Sequence, residues 1–206
     1  AGYITSDEAL DLRQQPASMI VLGGGPIATE LAQFFQRIGT QVKLIQRSHH
    51  ILSAGDEDLA LPVEERFRDE GMEVYTGTQL HKFTRDEDGI ATAHFSHHGE
   101  EKTVTGAVIL QALGRKPNAA DLDLDNAGVE TDNGRIVVDG AMRTNQPHIY
   151  AVGDVNGEHE IVHIAVEQGE IAAYNATHPD RPEHRFNERL NCLVVFTDPQ
   201  VASVGC

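Results

Sequence analysis

The sequence predicts an α/β protein whose parallel sheet is covered by helices, and three observations support this fold class. Short apolar runs next to glycine, such as 18–22, are typical of buried parallel strands. Apolar residues at helical spacing follow this run and lead to a second one, which makes a right-handed β-α-β unit. In addition, 40% of the 206 residues are hydrophobic and 19 are glycine, as in folded globular proteins.

The β-α-β unit comprises residues 18–45. Pro26 occupies the first helical position, where the N–H that proline lacks would have no intrahelical acceptor. Gly39 ends the helix, and the apolar run 42–45 is the second strand. The apolar face of the helix is predicted to contain Ile27, Leu31, Phe34, Phe35 and Ile38.

A second helix is expected from about Asp56 to Glu70, because acidic residues favour the positive N-terminal end of a helix. Pro62 is compatible with this helix only in its first turn, so the helix alternatively starts near Leu61. Residues 72–75 form the third predicted strand.

An antiparallel meander of three strands is predicted over 79–104. Polar and apolar residues alternate there, and turn residues stand at 88–89 and 98–99. The apolar run 107–110 then predicts another buried strand of the parallel sheet.

The second half of the chain contains fewer regular patterns. Residues 121–132 are acidic and predict a loop, and 136–138 and 148–152 predict strands. A helix is expected over about 161–176, and 193–196 begins a further strand.

The charge and composition exclude several partners. The chain has 16 Lys and Arg against 32 Asp and Glu, so its net charge of −16 disfavours nucleic acid and anionic membranes. The apolar runs are far shorter than the ~20 residues that span a bilayer. No cationic-then-apolar leader opens the chain and its two cysteines form no CxxC pair, which favours a cytoplasmic location.

The strongest local motif is G-x-G-x-x-A at 23–28, between a predicted strand and a predicted helix. In a Rossmann-like dinucleotide site, Gly23 allows the tight turn and Gly25 lets a pyrophosphate approach the backbone. The helix N-terminus, with Pro26 and Ile27, supplies unpaired N–H groups to the phosphates. A glycine turn without a ligand is the alternative, and the complete β-α-β context favours nucleotide binding.

The end of the second strand indicates which nucleotide is bound. An NAD site usually has a carboxylate there that holds the ribose 2′-hydroxyl, but this chain has Gln46. Arg47 can pair with a 2′-phosphate and Ser48 can donate a hydrogen bond to it. We therefore predict NADP, with NAD as the less favoured cofactor and an incidental basic surface loop as the other interpretation.

Four segments in register, 23–32, 113–118, 149–154 and 194–205, resemble the FAD-dependent pyridine nucleotide–disulfide oxidoreductases. The similarity is greatest to the branch of dihydrolipoamide dehydrogenase and mercuric reductase. It implies an enzyme that passes hydride from NADPH to FAD and electrons on to a disulfide or thiol-bound acceptor. It also implies an α/β fold in which a nucleotide-binding domain is joined to the C-terminal half of an FAD-binding domain.

The resemblance implies that the chain is the central portion of a longer homodimeric enzyme. The N-terminal FAD half, with its Cys-x4-Cys pair, and the C-terminal dimerisation domain would then lie outside it. The fragment would bind the nicotinamide nucleotide but not FAD, and it would be inactive alone. The implied parts are a connector (1–16), the NAD(P)-binding domain (17–116), the FAD-domain part (117–185) and the start of the dimerisation domain (186–206).

The resemblance adds further cofactor-site residues, namely Glu30, Gly114, Arg115, Gly153, Asp154 and His163. Glu30 matches a carboxylate that pairs with a flavin-contacting lysine, although no matching lysine occurs here. Gly114 matches a glycine beside the nicotinamide nucleotide, and Arg115 matches a residue that reaches toward FAD. Asp154 matches the acceptor of a ribityl hydrogen bond, and His163 opens the helix that faces the flavin. Pro26 replaces the tyrosine that gates the nicotinamide pocket in glutathione reductases.

Two other functions remain open from the sequence. One is a standalone NADP-binding or regulatory module. The other is a zinc hydrolase, because residues 159–163 spell H-E-x-x-H. That motif falls at a predicted helix start, so no metal site is expected. The adjacent pairs 49–50 and 97–98 should point apart, and Cys192 and Cys206 should be ordinary thiols.

Overall fold

The computed structural model describes residues 2–187, 189 and 191–205, which form two compact units. The first unit comprises Ala1–Gly114 and Val194–Ala202, and the second comprises Arg115–Leu193 and Ser203–Cys206. Cys206, one of the two predicted thiols, lies outside the described residues. Among the described residues, no helix has the length and apolar character that crossing a membrane requires.

The first unit confirms the predicted α/β class. Its elements are α1 (Ser6–Leu10), β1 (Ser18–Leu22), α2 (Pro26–Arg37), β2 (Gln41–Ile45), α3 (Glu57–Asp69), β3 (Glu73–Tyr75), β4 (Thr78–Arg85), β5 (Ala91–His97), β6 (Glu100–Gly106) and β7 (Val108–Gln111). A parallel four-stranded sheet has the order β3-β2-β1-β7, and β4, β5 and β6 form the antiparallel meander.

Side chains of the parallel sheet alternate between two apolar layers. On one face, Met19 and Val21 pack in a cluster with Phe35 and Phe67 of the helices. On the other face, Ile20 and its neighbours pack against the meander. The central strand β1 is therefore apolar from Met19 to Leu22 because both of its faces are covered, as the sequence predicts.

The predicted apolar face of α2 is wrong in part. Phe34 and Ile38 are 52% and 44% exposed. The residues buried on this helix are Ala28, Thr29, Ala32, Gln33 and Phe35. Small side chains let the helix approach the sheet closely, so the helix is rotated toward its alanines rather than toward its largest apolar residues.

Helix α3 begins as first predicted, with Asp56 at its N-cap, and the alternative start near Leu61 is wrong. Pro62 lies inside the helix, beyond the first turn. The carbonyl that loses its hydrogen bond, four residues earlier at Asp58, belongs to an exposed residue.

The second unit departs further from the prediction. Residues 121–132, predicted as a loop, contain short helical turns. In place of the strand predicted over 136–138, Arg135 and Ile136 form a two-residue strand of a hairpin. The predicted strand 148–152 is wrong: only Tyr150 forms a bridge, with Arg143. A strand requires a continuous neighbour for its backbone groups, and a single bridge does not provide one.

The elements of the second unit follow the numbering of the first, and its long helix confirms the one predicted over 161–176. They are a 3₁₀ turn (Ala120–Leu122), α4 (Leu124–Ala127), β8 (Thr131–Asp132), β9 (Arg135–Ile136), a second 3₁₀ turn (Gly153–Asn156) and α5 (Val162–Thr177). Strands β10 (Cys192–Val195) and β11 (Val201–Val204) each contain residues of both units and pair with each other.

Candidate functional site

The three glycines of the turn between β1 and α2 differ in the space around the position that a side chain would occupy. Gly23 has φ +111°, and a Cβ atom there would lie 2.2 Å from the carbonyl oxygen of Ala112. A Cβ atom on Gly24 would lie 3.0 Å from Cγ of Gln46. A Cβ atom on Gly25 would meet no atom within 4 Å. The first two glycines thus permit close packing, and the third borders open space.

That open space lies at the N-terminus of α2, because Gly25 is its N-cap and Pro26 its first residue. The backbone N–H groups of Ile27 and Ala28 have no intrahelical acceptor at this end. They provide hydrogen-bond donors and partial positive charge, which suit the pyrophosphate of a dinucleotide. The residues at this helix N-terminus therefore fit the dinucleotide that the sequence predicts.

The segment 46–52, which we call the cofactor loop, connects β2 to the region before α3 and lies against the glycine turn. Gln46 packs on Gly24, and its Oε1 accepts a hydrogen bond of 3.1 Å from the Arg47 backbone N–H. The carbonyl of Ser48 accepts a 2.7 Å hydrogen bond from the Gly77 N–H.

The side chain of Arg47 is exposed and forms no ion pair with any residue in the described part of the chain. The cofactor loop contains no carboxylate. An exposed guanidinium without a protein partner is available to a phosphate group, since no internal ion pair has to be broken first.

Glu30 lies on α2 and contacts the backbone of Phe196. Its carboxylate accepts a 2.8 Å hydrogen bond from the Phe196 N–H. One and two turns further along α2, Gln33 exchanges two hydrogen bonds with the backbone of Asp198, and Arg37 pairs with its carboxylate at 2.6 Å. The Arg37 hydrogen bond lowers the pKa of Asp198 below its ordinary value. The flavin-related role of Glu30 stays a prediction.

Two predicted flavin residues of the second unit contact each other. Arg115 Nη2 lies 2.5 Å from Oδ2 of Asp154, and both side chains are partly exposed. Asp154 belongs to the 3₁₀ turn that begins at Gly153, whose N–H donates a 2.7 Å hydrogen bond to Gln168 Oε1. Gln168 is fully buried, and no local sequence pattern distinguishes it, because its position follows only from the packing of α5.

The remaining predicted site residues occupy open positions. Gly114 has φ +126°, and a Cβ atom there would meet nothing within 4 Å. His163 is exposed in the first turn of α5, which begins at Val162. Both positions are accessible, and their cofactor roles stay predictions.

The H-E-x-x-H sequence does not lie on one helix. His159 precedes α5, whereas His163 lies within it. Nε2 of His159 lies 3.0 Å from the side-chain amide nitrogen of Asn191. Within 2–187, 189 and 191–205, no group of three His, Cys, Asp or Glu residues could hold a metal ion. The two histidines therefore do not share the helical face that the zinc motif requires.

The expectation that His97 and His98 point apart is wrong. Their ring centroids lie 4.0 Å apart. His98 is the first residue of the hairpin turn and has φ +52°, so the strand alternation on which the expectation rested does not apply there. Burial lowers the pKa of His97 below its ordinary value.

Comparisons with a protein-family model and with individual proteins indicate the same family. The family described as pyridine nucleotide-disulphide oxidoreductase matches residues 1–169. A dihydrolipoyl dehydrogenase from Bacillus subtilis is 36% identical over 98% of this chain and 43% of its own length. A mercuric reductase from Streptomyces lividans is 37% identical over 98% of this chain and 42% of its own length. The chain thus spans less than half of these relatives.

Solved structures agree with this match. The crystal structure of LpdA from Mycobacterium tuberculosis has a TM-score of 0.87 and 29% identity, over 98% of this chain and 43% of that one. The HOCl-induced flavoprotein disulfide reductase RclA from Escherichia coli has a TM-score of 0.85 and 26% identity, over 100% of this chain and 46% of that one.

Proposed function

The chain belongs to the pyridine nucleotide–disulphide oxidoreductase family, and from this premise we propose that it is the NADPH-binding portion of a flavoprotein oxidoreductase. The observation that carries the proposal is the open space at Gly25 beside the cofactor loop, which has Arg47 and no carboxylate. When bound, NADPH supplies a hydride that FAD accepts, and the electrons pass on to a disulfide or thiol-bound acceptor.

Two groups of residues in this chain would bind different parts of NADPH. Gly25, Pro26 and Ile27 provide the open helix N-terminus for the pyrophosphate, which is common to NADPH and NADH. Arg47 and Ser48 provide charge and a hydroxyl donor for the 2′-phosphate, which NADPH alone carries. The preference for NADPH therefore depends on the loop and not on the glycine turn.

We expect the 206-residue chain to bind NADPH at least about tenfold more tightly than NADH, because one additional charge-assisted contact is worth that factor. Titration followed by nucleotide fluorescence measures both dissociation constants. The preference should shrink as salt is raised, since an exposed ion pair is screened. Equal affinities at low salt would contradict the proposed NADPH preference.

We further propose that Arg115, Gly153, Asp154 and His163 belong to one side of an FAD site, with Gly114 next to the nicotinamide nucleotide. The ion pair between Arg115 and Asp154 supports this, because it holds a carboxylate on a short turn where it can accept a hydrogen bond from a polyol. In this proposal 17–116 binds NAD(P), 117–185 contributes to the FAD site and 186–206 begins a dimerisation domain. The remainder of a longer homodimeric enzyme would complete the site.

The purified 206-residue chain should therefore be colourless and should not reduce disulfides with NADPH. The chain covers 43% of its relative from Bacillus subtilis, so residues outside it are expected to supply most flavin contacts. The test measures the visible absorbance of flavin in the purified chain, first as isolated and again after incubation with FAD followed by desalting. Stoichiometric retained flavin would show that the FAD site is complete within this chain.

A further inference from the structure

We infer that Glu64 is a positioning residue for the cofactor loop, and that its buried carboxylate holds the loop in the conformation that presents Arg47 to NADPH. The inference rests on the proposed function. Nothing in the sequence singles out Glu64, which lies within α3 beside exposed charged residues. Only its burial and its hydrogen bonds distinguish it.

Glu64 is 3% exposed, and in the described part of the chain no other Asp, Glu, Lys or Arg is buried. Burial of a carboxylate is costly unless charge and hydrogen bonds compensate it. Arg68 pairs with Oε2 at 2.8 Å, but its own side chain is 46% exposed. Such a pair, one helical turn apart, forms equally well on a helix surface and does not require burial.

The second carboxylate oxygen explains the burial. Oε1 of Glu64 accepts a 3.0 Å hydrogen bond from the backbone N–H of Ile51, which is fully buried. The next residue, Leu52, donates its N–H to the Gly24 carbonyl at 2.6 Å. Leu52 also has φ +50°, a strained conformation that persists only where surrounding contacts impose it.

The cofactor loop is thus fastened at both ends. At its start, the Gln46 carbonyl accepts hydrogen bonds from the backbone N–H and the hydroxyl of Thr78, at 3.1 and 3.0 Å. At its end, Glu64 and the glycine turn bind two consecutive N–H groups. The backbone of Arg47 lies between these attachments, so the direction in which its exposed side chain leaves the loop is set before any ligand binds. This reduces the entropy lost on binding.

Removal of the Glu64 acceptor leaves the Ile51 N–H unpaired in an apolar environment. An unpaired buried donor is unfavourable enough for the loop end to move outward toward water. Arg47 then loses its fixed position. The helix N-terminus at Gly25 is linked to the loop end through the Leu52 N–H bond to the Gly24 carbonyl, so it is disturbed less than the loop itself. The binding of NADPH should weaken more than the binding of NADH.

The test compares Glu64→Leu, Glu64→Gln and Glu65→Leu in nucleotide titrations of the 206-residue chain. Glu64→Leu should lower NADPH affinity about tenfold and NADH affinity less than about threefold. Glu64→Gln should keep the preference for NADPH within about twofold, because its amide oxygen still accepts from Ile51. Glu65→Leu makes the same change at the adjacent exposed position, so it controls for the loss of one negative charge and should keep the preference for NADPH within about twofold.

Hydrogen exchange of the Ile51 amide provides a readout that is independent of nucleotide. It should be faster in Glu64→Leu than in Glu64→Gln. Two results would contradict the positioning role of Glu64 without contradicting the proposed function. One is an equal loss of NADPH and NADH affinity in folded Glu64→Leu, and the other is a lost preference for NADPH in folded Glu64→Gln. If Glu64→Leu does not fold, the Glu64→Gln result decides. A wild-type chain that binds neither nucleotide would instead overturn the proposed function.

Discussion

Gly23→Ala should lower the free energy of unfolding by about 3–5 kcal/mol, the sum of a strained backbone and a steric overlap. The added Cβ atom would lie 2.2 Å from the Ala112 carbonyl oxygen, and the φ of +111° is one that side-chain-bearing residues rarely adopt. Relief of the overlap requires β1 and β7 to separate where both strands end. Urea unfolding followed by circular dichroism measures the change.

Gly25→Ala is the matched control, because it adds the same methyl group two residues later. Gly25 has an ordinary φ of −77°, and no atom lies within 4 Å of the added Cβ. The free energy of unfolding should change by about 1 kcal/mol or less, mostly from the altered helix N-cap. The methyl group would occupy the proposed pyrophosphate space, so NADPH and NADH should both bind more weakly. Greater destabilisation by Gly25→Ala than by Gly23→Ala would contradict the described turn.

Arg47→Ala should weaken NADPH binding by about 10- to 100-fold, since charge-assisted hydrogen bonds contribute about 1.5–3 kcal/mol. NADH affinity should change by less than about twofold, because NADH has no 2′-phosphate. Arg47→Lys should retain part of the preference, since lysine keeps the charge but lacks the planar fork of donors. Parallel fluorescence titrations with the two nucleotides give the ratio of affinities directly.

Arg13→Ala provides a control for the loss of one positive charge from an acidic chain. Arg13 is exposed and lies outside the proposed site. Its removal should lower both affinities by a small factor, slightly more for NADPH, since the long-range field acts on both anions and the 2′-phosphate adds negative charge to NADPH. If Arg47→Ala were no more selective against NADPH than Arg13→Ala, Arg47 would contribute only to this general field and would not recognise a 2′-phosphate.

The order of elements in the first unit was predictable because each depends on a local pattern. The buried strand β1 is a continuous apolar run, a glycine ends α2, and turn residues separate the meander strands. The orientation of α2 was not predictable in this way. Phe34 is large and apolar yet 52% exposed, because the neighbouring sheet selects small residues for its contact with the helix.

The second unit was harder to predict, since its apolar segments do not pair as regular strands. The run at 148–152 has the composition of a buried strand, but only Tyr150 bridges to another segment. Local sequence reports how apolar a segment is. It does not report whether a partner strand is available, because that partner is distant in the chain.

For the site, the sequence by itself determined the glycine turn, the absence of a carboxylate after β2 and the presence of Arg47. These features are local, because neighbouring residues of one turn create them. The tertiary structure alone decided that Arg115 meets Asp154 and that Glu64 binds Ile51. These pairs are separated by 39 and 13 residues along the chain, so only folding brings their atoms within hydrogen-bond distance.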